Sequence, residues 1–400
     1  MAETETPGVD ANEVEGVRYQ LRYEPGLDGL RAFAIIGVVL FHATNSAGLP
    51  NWFRGGPISL TVFFTLSGFL IMSILLRDIG DDDDPDRSVD LGRFWSRRIR
   101  RLAPAQLITI VAVLAASKLG WLQLYRADAI AATWSTTNWR MTTAPFPSFV
   151  QTSLGPLGQM WSLAVEEQFY IIVALLTFLV ARTGRPVRNL AVLFGGLIAM
   201  SIVLANTITD WLPHLEFGID MRAGELAMGC LLAVGMRRYG SLLVGRERLL
   251  NLAGVAAVVG LVLFLLYADW TPPWLLRGGF TVVAMVTAVA IVGVLSHGTL
   301  ARLLSAAPLV KIGVWSYALY LVHWPVLVSL TPQRTGLERW SLLALQLTVT
   351  VILAIALHLL VEQPVRRRTD LSVRTTVFAW LGGLVFVTVL CIIFATPTPT

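Results

Sequence analysis

Arg31 and His42 stand eleven residues apart in the apolar run LDGLRAFAIIGVVLFHATN, residues 27–45. A guanidinium grips anions with a planar fork, and a neutral imidazole exchanges protons near pH 6.5. On a helix, eleven steps of 100° make three turns plus about 20°, so both side chains leave one face. Their Cα atoms are then about 16 Å apart along the axis. Ionisable groups inside an apolar span are costly in lipid and point to function. A histidine hydrogen-bonded between helices is the alternative. One ligand shape suits the pair: a long molecule with an anionic head for Arg31 and a reactive end for His42. A phosphorylated carrier such as acyl-coenzyme A has that shape.

Further polar residues fall inside apolar runs. In FWSRRIRRLAPA, residues 94–105, Arg98 and Arg101 share a helix face, as do Arg97 and Arg100. Paired guanidiniums suit a pyrophosphate or a phosphorylated ribose, or else anchor the helix to lipid headgroups. In WSLAVEEQFY, residues 161–170, the neighbours Glu166 and Glu167 point about 100° apart. One of them is placed to orient a histidine or line a cavity while the other seeks the interface. SYALYLVHWP, residues 316–325, spaces Tyr317, Tyr320 and His323 three apart, with Pro325 able to kink the helix. Such a stripe lines a wet cavity or locks helices together. DMRAGELAMG, residues 220–229, sets Arg222 three residues before Glu225, as an intrahelical ion pair or a substrate-lining pair. In VEQP, residues 361–364, Glu362 precedes Arg366, Arg367 and Arg368 and reads as a structural clamp. His358 reads as a core residue, and His214 and His297 receive no role.

The elements that must position these groups are membrane helices. Of 400 residues, 55% are hydrophobic and 14% charged, against about 25% charged in soluble domains. Apolar runs recur that are long enough for a hydrocarbon core of about 30 Å. They predict eleven spans, at roughly 29–48, 58–77, 102–119, 161–181, 189–206, 218–236, 249–268, 277–296, 312–330, 341–361 and 375–395. Of the 31 Lys and Arg, 22 fall on the N-terminal side of this arrangement and 7 on the other. Basic loops mark the cytoplasm, so the N-terminus is predicted inside and the C-terminus outside.

The first 25 residues are polar and acidic and hold no signal-peptide core. Cys230 and Cys391 are too few for a disulfide framework or a Cys-rich metal site. No inverted repeat relates the two halves, which weakens a transporter architecture. The acidic stretch 81–90 lacks the spaced ligands of a calcium loop and reads as a solvated loop. Residues 120–160 are predicted to form the longest outer loop, and the final ATPTPT reads as a linker.

Taken in order, these blocks resemble the acyltransferase family 3 membrane acyltransferases. LDGLRAFAIIGVVLFHA resembles the family's Arg-x10-His first helix and FFTLSGFLI, residues 63–71, its second. FWSRRIRRLAP resembles its Arg-x-x-Arg segment, WSLAVEEQFY its fourth span, SYALYLVHWP its ninth and VEQP its closing block. The likeness runs from about residue 25 to 366. It implies an all-α polytopic membrane protein with a cytoplasmic tail at 1–25 and a membrane domain of about ten core transmembrane helices at 26–370. An eleventh helix and the start of an extracytoplasmic linker would follow at 371–400. Family members that continue past ten spans lead through an added span into an SGNH-type domain, and this C-terminal stretch resembles that arrangement.

The resemblance also implies roles. His42 and Glu166 would be catalytic, and Arg31, Arg98 and Arg101 would bind the donor. Tyr317, Tyr320 and His323 match the ninth-span block and would line the substrate site; Arg222 and Glu225 join that lining by their place in the sixth span. The activity implied is transfer of an acyl group, acetyl or succinyl, from cytoplasmic acyl-CoA to a hydroxyl. That hydroxyl would belong to an extracytoplasmic cell-envelope polysaccharide or glycolipid. Acyl-CoA would be a substrate, with no permanently bound cofactor and no metal. The remaining partners would be the acceptor glycan and the bilayer of the plasma (inner) membrane, with no nucleic acid. Neutral His42 would act as general base with Glu166 orienting it, an acyl-histidine intermediate being the alternative. The rival reading is a proton-coupled transporter or flippase of an envelope precursor, with His42, Glu166 and His323 as a relay. A membrane scaffold is a third.

Overall fold

Long apolar stretches satisfy their backbone polar groups internally as helices, because lipid supplies no hydrogen-bond partners. The computed structural model describes residues 23–79, 89–143, 155–207, 212–269, 273–368 and 370–398. The acidic stretch at 81–88, the tail up to residue 22, residues 144–154 of the long loop and the last two residues lie outside them. Among the described residues there is no β-strand, and seventeen helices follow one another.

The first half contains α1 (Pro25–Ser46), α2 (Ile58–Ile79), α3 (Leu91–Lys118), the short α4 (Arg126–Thr133) and α5 (Thr137–Thr143), α6 (Met160–Ala181), α7 (Pro186–Thr207) and the short α8 (Leu212–Phe217). Then come α9 (Ile219–Tyr239), α10 (Glu247–Tyr267), α11 (Leu275–Leu295) and α12 (Thr299–Leu304). The chain closes with α13 (Ala307–Val314), α14 (Ser316–Ser329), α15 (Pro332–Thr335), α16 (Arg339–Arg366) and α17 (Val373–Phe394).

Nine of the described helices are long and apolar enough to cross a membrane, and the bent pair α13–α14 makes ten. The sixth predicted span corresponds to α9, which falls short of that apolarity because it carries Asp220, Arg222, Glu225, Arg237 and Arg238. Each of the eleven predicted spans therefore has a helix, and the chain is a multi-pass membrane protein.

Two elements differ from the sequence expectation. The ninth span is not one rod: it bends by 66° between α13 and α14. The bend lies at Trp315, not at Pro325, which sits inside α14. Proline removes the hydrogen bond to the carbonyl four residues earlier. That carbonyl, Leu321 O, instead accepts from Gln159 Nε2 at 3.0 Å, so α14 continues through the proline. The third span starts eleven residues earlier than predicted, at Leu91, where Asp90 caps it by accepting from the Arg93 amide at 2.8 Å. Its 28 residues make it about 42 Å long. Arg98 and Arg101 are thereby held on the helix itself, on the shared face that their spacing predicts.

Helices α1 and α2 are central, with 72% and 67% of their apolar windows buried, whereas α17 has 17% and faces outward. Helix α2 packs against α9, and α17 against α3 and α4. A Cβ at Gly229 would lie 1.9 Å from Thr65 O, and one at Gly68 2.0 Å from Leu226 O. Lipid gives no hydrophobic drive between helices, so such close backbone approach supplies the packing attraction. After α17, Thr396 pairs with the segment before α4, through Arg126 N to Thr396 O at 2.8 Å and Thr396 N to Leu124 O at 3.0 Å.

Candidate active site

Helices α1, α3, α6 and α14 converge on a cavity, with α2 supplying an apolar wall of Leu60, Phe63 and Phe64. Its cations are Arg31, Arg98 and Arg101, and its remaining polar groups include Glu166, Tyr170, Tyr317, Tyr320 and Ser162. The predicted anion-binding residues thus meet in one place.

Each guanidinium is positioned differently. Arg31 donates to Asp28 at 3.4 Å, one turn earlier on α1, and Asp28 also accepts from the Tyr23 hydroxyl at 2.9 Å. Burial and the neighbouring Asp28 carboxylate raise the Tyr23 phenol above its ordinary value. Arg98 lies 4.1 Å over the Tyr170 ring, a cation–π contact that leaves its fork free. Among the described residues, neither Arg98 nor Arg101 forms an ion pair with a carboxylate. The competing pair faces elsewhere: Arg100 donates to Ser96 Oγ at 2.9 Å, and Arg97 is exposed.

Glu166 and Glu167 do point apart. Glu166 lines the cavity and accepts from the Tyr170 hydroxyl one turn on. Glu167 turns to the connection between α4 and α5 and accepts from the Ser135 hydroxyl, while Gln168 Nε2 donates to Ser135 O at 2.7 Å. Ser135 has φ 51°, so these two side chains hold it in a conformation that is uncommon outside glycine. Asp128, beside Arg140 at 3.2 Å on this connection, has its carboxyl raised by burial against the pull of that guanidinium.

Tyr317 lines the cavity and donates to Leu102 O at 2.9 Å. Tyr320 lies deeper; its hydroxyl donates to Gln159 O at 2.8 Å and lies 2.6 Å from Ser162 Oγ. Tyr320 and Ser162 both line the cavity.

The two histidines are placed differently from the expectation. His42 is half-buried and does not line the cavity. Its ring partner is His323, with Nδ1 of His42 at 3.2 Å from Nε2 of His323, and not Glu166. Trp324 packs edge-on against His42 at 5.1 Å, and its Nε1 donates to Gly155 O at 2.7 Å. His323 itself is 0% exposed, so it backs His42 and lines nothing. Its Nδ1 lies 2.7 Å from Tyr320 O.

Arg222 and Glu225 are also no lining residues. They are 2% and 1% exposed and closed on each other at 2.7 Å, with Arg222 stacked 3.8 Å over Phe280. Phe64, which lines the cavity, screens Arg222 from it at 5.6 Å. They form the intrahelical ion pair, enclosed because α9 packs against both α2 and α7. Glu362 clamps as expected but onto His358, at 2.7 Å, and not onto the basic run that follows. His214 pairs with Asp220 at 3.0 Å.

Sequence reasoning overlooked Asp28, Tyr170 and Ser162. The first two had a signal: Asp28 is three residues before Arg31 and Tyr170 four after Glu166, both same-face spacings. Ser162 had none, because its partner Tyr320 is 158 residues away.

The model of the family described as "Acyltransferase domain" matches residues 24–396. The chain belongs to acyltransferase family 3. A Bacillus subtilis (strain 168) relative, YrhL, named as a candidate peptidoglycan O-acetyltransferase, is 36% identical over 380 residues, 89% of this chain and 57% of its own length. The O-acetyltransferase OatA of Staphylococcus aureus (strain NCTC 8325 / PS 47) is 32% identical over 364 residues, 88% of this chain and 58% of its own. The peptidoglycan O-acetyltransferase OatA of Listeria monocytogenes serovar 1/2a (strain ATCC BAA-679 / EGD-e) is 34% identical over 371 residues, 88% of this chain and 57% of its own. The chain thus spans less than two thirds of the length of these family relatives. No solved structure matches it.

Proposed function

We propose that this protein is a membrane O-acyltransferase that moves an acyl group, acetyl by preference, from acyl-CoA to a hydroxyl of a cell-wall glycan. The observation that carries the reading is the meeting of Arg31, Arg98 and Arg101 on one cavity, with two of the three forming no ion pair with a carboxylate among the described residues. Partly buried guanidiniums with no ion-pair partner are expensive unless a ligand answers them. Bidentate phosphate contacts suit them, and a coenzyme A head brings several phosphates. The peptidoglycan named for the relatives makes a glycan strand the acceptor of choice, and succinyl a less favoured cargo.

Arg31, Arg98 and Arg101 lie in the N-terminal parts of α1 and α3, the side where basic loops predominate, so the N-terminus would face the cytoplasm and the donor would enter from there. The thioester arm would run from the guanidiniums toward Tyr320 and Ser162. His42 is not among the residues that line the cavity, so the arm must part side chains beyond that lining to reach it. His42 acts as general base: its ring takes the proton of the acceptor hydroxyl as the oxygen attacks the thioester carbon. The C–S bond breaks, and the imidazolium returns its proton to the coenzyme A thiolate. Glu166 belongs to the donor cavity and holds Tyr170 beneath Arg98; it does not orient the base.

The test uses the full chain in lipid nanodiscs. Acetyl-CoA should raise its melting temperature and release free thiol when glycan strands are present. His42→Ala should keep the thermal shift and lose at least about 100-fold in thiol release. Wild-type turnover in that variant would remove His42 from the mechanism. A shift produced by a transported solute, with no thioester consumed, would favour the transporter reading.

A further inference from the structure

An imidazole can serve as a base at either nitrogen, and its second nitrogen decides which one. His42 uses Nδ1 toward His323, and His323 uses both of its nitrogens, Nε2 toward His42 at 3.2 Å and Nδ1 toward Tyr320 O at 2.7 Å. A backbone carbonyl only accepts, so Nδ1 of His323 carries a hydrogen. His323 is 0% exposed, and no carboxylate lies within ion-pair reach of it among the described residues. An unpaired buried charge is costly, so the ring is neutral and its Nε2 holds a lone pair. Two lone pairs would repel at 3.2 Å, so Nδ1 of His42 must be the donor. The remaining nitrogen of His42, Nε2, is then left unprotonated.

We infer that His323 is a positioning residue that locks His42 in the Nδ1–H tautomer, so that Nε2 of His42 is the nitrogen presented to the acceptor hydroxyl. This rests on the reading of His42 as the base. The relay runs from the Tyr320 carbonyl through His323 to His42, in the manner of a base and its orienting group, but with a neutral partner in place of a carboxylate. No proton needs to travel along it.

The surrounding fold fixes each member. Gln159 receives the Tyr320 hydroxyl on its carbonyl at 2.8 Å and donates its amide to Leu321 O at 3.0 Å, the acceptor that Pro325 leaves open. The turn of α14 that bears His323 is therefore held from α6. Trp324 is anchored to Gly155 O and closes on the His42 ring, which lies edge to edge with His323, their centroids 5.3 Å apart and their planes within 22°. The phenol of Tyr320, the nearest other titratable group on α14, is engaged by Ser162 and Gln159. It leaves His323 alone to face Nδ1 of His42.

The chain has five histidines, so ¹⁵N-histidine magnetic-resonance spectra of the full protein in lipid nanodiscs can be assigned by single substitutions. At neutral pH His42 should show a protonated Nδ1 and an unprotonated Nε2. The opposite tautomer in the wild type would overturn the inference, whatever the activity. His323→Phe keeps the bulk and removes the acceptor. It should bring in the Nε2–H signal of His42 and lower kcat for thiol release from acetyl-CoA by about 100-fold or more, with KM unchanged. His323→Gln places an amide oxygen toward His42 yet cannot take up a proton. It should retain the Nδ1–H signal and stay within about tenfold of wild-type kcat. A His323→Phe protein with wild-type kcat and the Nδ1–H signal would sink the positioning role, and a His323→Gln protein as weak as His323→Phe would point to proton transfer instead. If His323→Phe fails to fold, the wild-type and His323→Gln spectra decide. Full activity of His42→Ala beside an Nδ1–H signal in the wild type would refute the base and leave the hydrogen-bond order intact.

Discussion

The cavity arginines and Arg222 are the same residue type on helices of one bundle, with opposite surroundings. Arg222 has a carboxylate at 2.7 Å and an aromatic ring at 3.8 Å, and is 2% exposed. Arg98 and Arg101 line open space; an aromatic ring supports Arg98, and neither has an ion-pair partner among the described residues. A charge answered by its own chain stabilises a fold, whereas we propose that a charge beside a cavity, with no ion-pair partner among the described residues, takes a ligand. Helix α9 illustrates the first case and α3 the second.

That contrast can be broken at its structural end. Glu225→Ala leaves a guanidinium buried and unpaired, and should destabilise the protein by about 3–5 kcal/mol. Thermal unfolding in detergent would show it. The double change Arg222→Met with Glu225→Leu removes both charges, and most of that loss should be absent. A single variant no less stable than the double one would contradict the pair's role.

At the cavity end the effect should move from stability to binding. Arg101→Ala is expected to weaken acetyl-CoA binding by about 10- to 100-fold, as for loss of a charge-assisted hydrogen bond, with the melting temperature of the unliganded protein unchanged or raised. Calorimetry on the nanodisc protein checks both. A lowered melting temperature with unaltered affinity would make Arg101 a second Arg222.

Tyr170→Phe sharpens the comparison. It keeps the ring under Arg98 and removes the bond to Glu166, so donor affinity should fall by only about 3- to 10-fold. Tyr170→Ala, which removes the ring as well, should fall further.

The smallest effect concerns Glu216 on α8, outside the spans. Burial lifts its carboxyl to about 7, against the opposing pull of the Arg222 guanidinium. Between the ordinary value of 4.5 and about 7, the folded protein holds a proton that the unfolded chain has released. Stability should therefore decline as pH rises through that window. Glu216→Gln should flatten the slope, and an identical slope in that variant would discharge Glu216 from it.

Much of the site was legible because its relations are local. The 3.6-residue turn alone puts Arg98 with Arg101 on one face, separates Glu166 from Glu167, and closes Arg222 on Glu225. Each of these follows from residues at most four apart, and each appears in the structure. Choosing between the Arg98–Arg101 and Arg97–Arg100 faces was not legible. In lipid the outward face of a helix is as apolar as the inward one, so hydropathy does not say which side looks into the protein.

The sequence by itself therefore determined eleven helical segments, the faces on which their polar residues lie, and membership of a membrane acyltransferase family. Only the tertiary structure decided which faces meet. It placed His42 on His323, 281 residues away, in place of Glu166, and shut Arg222 behind Phe64. It also bent the ninth span at Trp315. The physical reason is range: turn geometry is fixed by neighbours along the chain, whereas a hydrogen bond between helices depends on packing that a pattern of apolar residues does not encode.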